Sequence, residues 1–254
     1  MATGRTLFKN SRFYANGVDL SGYTRSYGPL VWTFEEVDLT CPMGDAVMGY
    51  LPGKPDIALG GYRTVLDPVA DVGPHANFVT PGSAILVMVP IGIRAAPAEG
   101  DPVWCGYFQQ LSYNANEDGG AMVVDMPTGG WDPTNMLKYE KPWGVLLHEK
   151  SAETDVNDQT GVDGGEQTTA GGYMVYHIFD GDGTATISIE DADTNLDGSF
   201  AALTGATTGE LDCSAVQYGV VQLGTTATVE RYVRWQIDLN TATTVTFALA
   251  FVRG

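Results

Sequence analysis

Thr244-Val-Thr-Phe-Ala-Leu-Ala-Phe251 puts Val245, Phe247, Leu249 and Phe251 on alternate positions, with Thr244, Thr246, Ala248 and Ala250 between them. A period of two sends successive side chains to opposite faces of an extended chain, so this stretch is a strand with an apolar inner face and a solvated outer one. The same alternation runs through Val233, Trp235, Ile237 and Leu239 against Tyr232, Arg234, Gln236 and Asp238, and through Ala185, Ile187 and Ile189 against Thr184, Thr186 and Ser188. The separators Asp180-Gly-Asp-Gly183 and Asp197-Gly198 are turn chemistry. Strands of this kind, with no helical period between them, predict an antiparallel β-sandwich over the second half.

The first half also reads as strand. Asn16-Gly17 between Arg12-Phe-Tyr14 and Val18-Asp-Leu20 is a hairpin signal, and Tyr23 to Leu39 continues as extended, aromatic-rich chain. Further strands are expected at 84–91, 104–113 and 122–126. The segment 62–79 holds the only expected helix, cut to a turn or two by Pro68 and Pro74. Residues 41–60, with Pro42, Gly44, Gly49, Pro52, Gly53, Pro55 and Gly60, predict a long loop of the kind that serves function or an interface. The expected class is therefore all-β with at most one short helix.

The chain has 254 residues and a formal net charge of −18. Residues 1–142 carry nine Lys+Arg and fifteen Asp+Glu, net −6, and residues 143–254 carry four and sixteen, net −12. That shift, with the Pro at 142, predicts two domains, 1–142 and 143–254. Such a balance excludes tight nucleic-acid binding through clustered cations and disfavours an anionic membrane. The N-terminus shows no apolar signal region, and the longest apolar run, 84–93, contains Pro90 and is half a membrane span. Cys41, Cys105 and Cys213 lack paired spacing, which predicts packed thiols in a reducing cytoplasm.

Catalytic patterns are missing. The sequence holds no nucleophile elbow, phosphate loop or dinucleotide fingerprint, and His75, His148 and His177 have no neighbour at metal-ligand spacing, so each is expected to be structural. The adjacent acids Glu35-Glu36 and Glu117-Asp118 point to opposite faces of a strand and cannot converge as a glycosidase pair. Asp193-Thr-Asn195-Leu-Asp197-Gly198 opens like a calcium loop, but its twelfth position is Thr204 where a bidentate carboxylate is required. The plainer expectation is a turn in which Asp and Asn bond their own backbone and Gly198 takes positive φ. No cofactor is expected.

Asn16-Gly-Val-Asp-Leu-Ser21, Thr24-Arg-Ser26 and the strand ending Val37-Asp-Leu-Thr40 resemble the opening of the major tail tube proteins of long-tailed, siphovirus-like bacteriophages. Gly44-Asp45, Tyr50-Leu-Pro-Gly-Lys-Pro-Asp56, His75-Ala76, Gly106-Tyr-Phe108 and Asp118-Gly-Gly120 follow in the order that family shows, over residues 7–130. The resemblance implies a β-sandwich subunit that closes into rings, usually six-fold, stacked into a DNA-conducting tube. It implies tape measure, tail terminator and distal tail proteins as partners, transit of double-stranded DNA without tight binding, and residence in the virion after synthesis in the host cytoplasm. Glu35, Asp38 and Asp125 are then candidate lumen acids, on which a polyanion slides. Asp45, Tyr50, Leu51 and Lys54 are candidates for contact with the next ring.

The second half, with Leu146-Leu-His148, Ile187-Ser-Ile-Glu-Asp191 and Arg231-Tyr-Val-Arg-Trp235, resembles carbohydrate-binding-like jelly-roll modules, which implies an outward-facing decoration of jelly-roll or immunoglobulin-like type on the tube. Two other readings stand beside this one. The first is a capsid decoration or head-fibre protein, and the second is a carbohydrate-binding module protein.

Overall fold

The structure is a computed structural model that describes residues 8–38, 50–69, 73–93, 95–131, 141–154 and 160–254. The first strands are β1 (Tyr14–Ala15), β2 (Val18–Asp19), β3 (Thr24–Tyr27), β4 (Leu30–Asp38), β5 (Tyr50–Leu59) and β6 (Tyr62–Val65). A five-residue helix, α1 (Pro74–Phe78), precedes β7 (Ala84–Pro90), β8 (Pro102–Gln110), β9 (Asn114–Asp118), β10 (Ala121–Met126) and β11 (Thr128–Trp131). The second half contributes β12 (Trp143–Glu153), β13 (Val162–Asp163), β14 (Gly172–Gly181) and β15 (Thr184–Ala192). It ends with β16 (Ala201–Asp212), β17 (Gln217–Gln222), β18 (Tyr232–Asp238) and β19 (Val245–Arg253). Every pairing between these strands is antiparallel, and the protein is an all-β sandwich fold with one short helix among the described residues.

Two four-stranded sheets, β3-β6-β10-β9 and β13-β18-β15-β16, flank one large curled sheet. That sheet runs β17-β14-β19-β12-β8-β11-β5-β4, with β7 on the other edge of β8 and the β1-β2 hairpin beyond it. Strand β12 joins the halves: it pairs with β8 through Trp143, Gly144 and Val145 and with β19 along most of its length. The expected boundary at 142/143 falls just before this shared strand.

The buried side chains form three clusters. Phe13, Val87, Val89, Trp104 and Phe108 meet Tyr62, Val124 and Met126 in a core built wholly from the first half. Met174, Ile178, Phe247, Leu249 and Phe251 meet Ile187, Ile189, Val233, Trp235 and Ile237 in a second, built wholly from residues of the second half. The third is drawn from both: Tyr14, Leu86, Met88, Val103 and Cys105 from one side, and Leu146, Tyr173, Val175, Ala248, Ala250 and Val252 from the other. The halves therefore stack as four layers, with β7-β8 facing β14-β19.

This third cluster corrects the reading of the closing strand. Val245, Phe247, Leu249 and Phe251 face inward as their period requires, yet Ala248 and Ala250 are buried as well. The alternation registers one apolar face. The opposite face carries alanine because β7 and β8, further round the same curled sheet, lie against it, and small side chains let the layers approach. In β7, Leu86 and Met88 enter the shared cluster while Val87 and Val89 enter the first core.

The Asn16-Gly17 turn forms as expected, with φ of 48° and 77° and the register Ala15↔Val18. The segment 62–79 opens on strand β6, and only 74–78 is helical. Pro74 starts that helix because its missing N–H is no loss in a first turn. The expected long loop is corrected too: residues 50–59 are the strand β5, paired with β4 from Leu30↔Leu59 to Asp38↔Tyr50. Pro52 and Pro55 are tolerated because, among the described residues, that end of β5 pairs with β4 alone, and a missing N–H on its other edge breaks no ladder.

Candidate assembly surface

Among the described residues, the β4-β5 hairpin pairs with the rest of its sheet at Gly130↔Ala58. On its inner face Leu59 and Ile57 are buried in the first core, with Leu30 packed against it. That face continues outward as Trp32 and Phe34, paired with Ile57 and Pro55, and there it leaves the core. Trp32 is 39% and Phe34 48% exposed, their rings 5.9 Å apart. Two large aromatic side chains thus stand half in water on a strand at the end of its sheet, where exposed apolar surface and a free strand edge coincide. Alternation places Glu36 on the same face and Thr33, Glu35 and Val37 on the other.

The root of this arm is fixed by glycines. A Cβ on Gly28 would lie 2.4 Å from the carbonyl carbon of Gly60, and Gly60 N–H donates to the Pro29 carbonyl at 3.0 Å. Gly61 adopts φ of 116°, open to glycine and strained for other residues.

The candidate lumen acids fall on two different sheets. Glu35 is exposed on the arm, and Asp38 ends the same strand, its side chain outside the described residues. Asp125 is on β10 in the β3-β6-β10-β9 sheet, 3.2 Å from Arg63 Nε and accepting from Asn116 Nδ2 at 2.9 Å. Arg63 and Arg25 also reach Asp118, at 3.6 and 2.9 Å. Asp125 is thus one member of a mixed ladder of charge, whereas no cation is seen on Glu35 among the described residues. Of the inter-ring candidates, Tyr50, Leu51 and Lys54 are strand positions of β5 whose side chains lie outside the description, and Asp45 lies outside the described residues altogether.

The calcium-like motif is engaged internally. Asn195 exchanges two hydrogen bonds with the backbone of Gly161, at 3.1 and 3.2 Å, and Asp197 Oδ1 accepts from Arg234 at 2.6 Å. The guanidinium of Arg234 also meets Glu190 at 2.7 Å and lies over the Phe200 ring. Among the described residues Asp193, Asn195 and Asp197 do not gather into a ligand cage. The turn expectation is corrected in two respects: Asn195 bonds the distant Gly161 backbone and Asp197 bonds Arg234 in place of their own backbone, and Gly198 is not in the left-handed region, because the chain there winds into a short 3₁₀ turn at Asp197–Ser199.

The three histidines are built into the fold. His75 Nδ1 meets Tyr113 Oη at 2.9 Å. His148 stacks on Phe247, with Nδ1 at 3.1 Å from the Phe247 carbonyl and Nε2 at 2.9 Å from Glu153 and 3.2 Å from Ser151 Oγ. Serine and carboxylate thus share one ring nitrogen, where a relay needs them on opposite nitrogens. His177 is fully buried and its Nδ1 accepts the Gly17 N–H at 2.9 Å, which fastens the first hairpin to β14. Burial lowers its pKa from 6.5 to about 3. Beside it Lys150 pairs with Asp19 at 2.7 Å and lies over Phe179. Burial opposes charge on Asp19, but hydrogen bonds from Lys150 and Ser21 outweigh it and hold the carboxyl below its usual range.

No family model and no curated protein matches the chain. Among solved structures it is similar to the crystal structure of the SPP1 Dit protein, described as a paradigm of the hub adsorption apparatus in phages that infect Gram-positive bacteria. The TM-score is 0.32 and the identity 12%, over 94% of this chain and 98% of that one. A likeness this distant transfers no role. No helix among the described residues is long and apolar enough to cross a membrane.

What sequence reasoning missed is the arm's aromatic face. Its signal was present in Trp32-x-Phe34, an alternation that continues Leu30 outward. The proline-rich partner strand, read as loop, concealed that those residues project.

Proposed function

We propose that this chain is a phage virion structural protein, a tail tube subunit that self-assembles into stacked rings around a DNA channel. It acts by assembly and not by catalysis. The observation that carries the reading is the β4-β5 arm, whose core-facing stripe runs on past the core as Trp32 and Phe34. A monomer gains nothing from solvating two aromatics, while a ring covers them in every copy. The net charge of −18 supports the channel, since an acidic lining repels the DNA backbone and lets it slide. Glu35 fits that lining, with Asp38 beside it on the same strand. Asp125, tied to Arg63, would present a neutralised pair.

Negative-stain electron microscopy of the concentrated protein, with mass photometry of dilute samples, tests the proposal. Rings or tubes with an open centre are expected. A monomer at every concentration and salt would overturn it.

A further inference from the structure

Among the described residues, five cations of this acidic chain are already spent on carboxylates. Arg25 and Arg63 pair with Asp118 and Asp125, Lys150 with Asp19, Arg231 with Asp163, and Arg234 with Glu190 and Asp197. One groove differs. It is lined by Lys9, Arg12, Phe13, Ser21, Thr24 and Tyr27, together with Ser11, and no carboxylate lines it. Lys9 is exposed and makes no ion pair among the described residues, and the nearest carboxylate to Arg12 is Glu149 at 3.9 Å, the outer limit of a pair. Tyr27 supplies its half-buried aromatic wall, backed 5.8 Å away by the ring of Phe13, which is itself buried in the first core.

The exposed end of the arm's inner face has the opposite character. Trp32, Phe34 and Glu36 follow one another on one side of β4, the last strand of its sheet, with the register against β5 shifting between Phe34 and Glu36. We propose that the Trp32-Phe34-Glu36 face of one copy docks in the Lys9-Arg12 groove of a second copy, the aromatics against Tyr27 and the carboxylate on the cationic rim. The inference rests on the self-assembly reading and deepens it by naming the two surfaces that meet.

Two features favour a second copy as the occupant. The charges are complementary, and the chain supplies both partners. The groove also lies at the root of the arm, since Tyr27 stands three residues before Leu30, where β4 begins. Arm face into arm root is a head-to-tail contact between different patches. Repeated, such a contact closes into a ring or winds into a helix and cannot stop at a symmetric dimer.

A charge swap tests this on the full-length chain by sedimentation velocity over a concentration series. Lys9→Glu and Glu36→Lys should each weaken self-association at least tenfold, because each sets like charges face to face in every contact. An equimolar mixture should restore it. In that mixture the reversed arm meets the reversed groove, and the native arm meets the native groove, so copies alternate. Trp32→Ser with Phe34→Ser should weaken assembly at every salt concentration, while the charge variants respond to salt. All three changes are at exposed positions, and unchanged thermal melts should accompany them.

Assembly of either charge variant at wild-type strength, or a mixture that fails to rescue, overturns the docking while leaving self-assembly intact. Loss of DNA-fragment retention by Lys9→Glu with assembly unaltered makes the groove a phosphate site and also overturns it. A wild-type protein that never associates overturns both this inference and the reading beneath it.

Discussion

Acidifying the protein through the titration of His177 isolates one contact between the two halves. The Gly17 N–H donates to Nδ1, so the ring proton sits on Nε2, which has no partner in the described structure. A second proton would have to go on Nδ1, where it would displace the Gly17 hydrogen bond inside an apolar surround. The groups facing the ring are Tyr14 at 6.4 Å, Phe179 at 6.2 Å and Tyr218 at 6.3 Å between centroids, and none offers a carboxylate. The pKa accordingly falls from 6.5 to about 3.

Because the folded value is depressed, the stabilisation is complete above pH 6.5. It is lost as pH falls from there towards 3, where only the unfolded chain takes up the proton. The difference of about 3.5 units at 1.36 kcal/mol each gives roughly 5 kcal/mol in full, and about 3 kcal/mol between pH 6.5 and pH 4. That is a large share of the ~5–15 kcal/mol that holds a folded protein together. The assay is urea unfolding of wild type and His177→Asn at pH 7, 6, 5 and 4. Asparagine keeps an acceptor for the Gly17 N–H but cannot titrate. The variant should be weaker at pH 7 by about 1–2 kcal/mol for its lost volume. Its deficit should shrink with acid and reverse by pH 4. Other titrations occur in both proteins and cancel in the difference. Parallel stability curves would refute the reasoning, because they would mean that His177 is charged, or free to be charged, in the folded state.

Two further outcomes follow from buried contacts. Arg234→Ala should cost about 3 kcal/mol in urea unfolding, since its side chain is 6% exposed and its removal strands the Glu190 carboxylate, 23% exposed; a loss under 1 kcal/mol would mean the pair is solvated. A fragment of residues 1–142 exposes Tyr14, Leu86, Met88 and Val103 of the shared cluster, forfeiting about 1.5–3 kcal/mol for each, or roughly 6–12 kcal/mol in sum. It should therefore fail to give a cooperative melt by circular dichroism, and a sharp wild-type-like transition would show that the first core stands alone.

The class of fold was legible because period-two alternation and turn chemistry are local. Ile187 or Trp235 faces inward whatever lies across the sheet. The contact between the halves was hidden because its residues imitate other things. Ala248 and Ala250 look like the solvated face of a strand, and Gly17 looks like an ordinary hairpin glycine. In fact a Cβ on Gly17 would come 2.2 Å from Val216 Cγ1, so the position must also fit against the second half. The arm was hidden by its prolines, which suggest a loop unless the opposing strand is known. Asp125 was located correctly on a strand, but a sequence carries no sign that Arg63 would lie directly across from it.

The shared core bears on how such a subunit would work. An arm that grips a neighbour pulls on its own root, and the root here is braced. Leu30, Ile57 and Leu59 anchor the arm in the first core, and Phe13 of that core adjoins Tyr14, which enters the shared cluster against Tyr173 and Val175. Gly17 and Asp19 tie the same hairpin to His177 on β14 and to Lys150 on β12. Load applied at Trp32 would reach the second half through these packed side chains. If rings form through the arm, the second half is then held at a fixed angle to the ring. Loosening its attachment, as His177→Asn does, should disturb how regularly copies stack before it disturbs whether they associate. Rings of His177→Asn that stack into tubes as long and straight as those of the wild type would show that the second half takes no part in the wall.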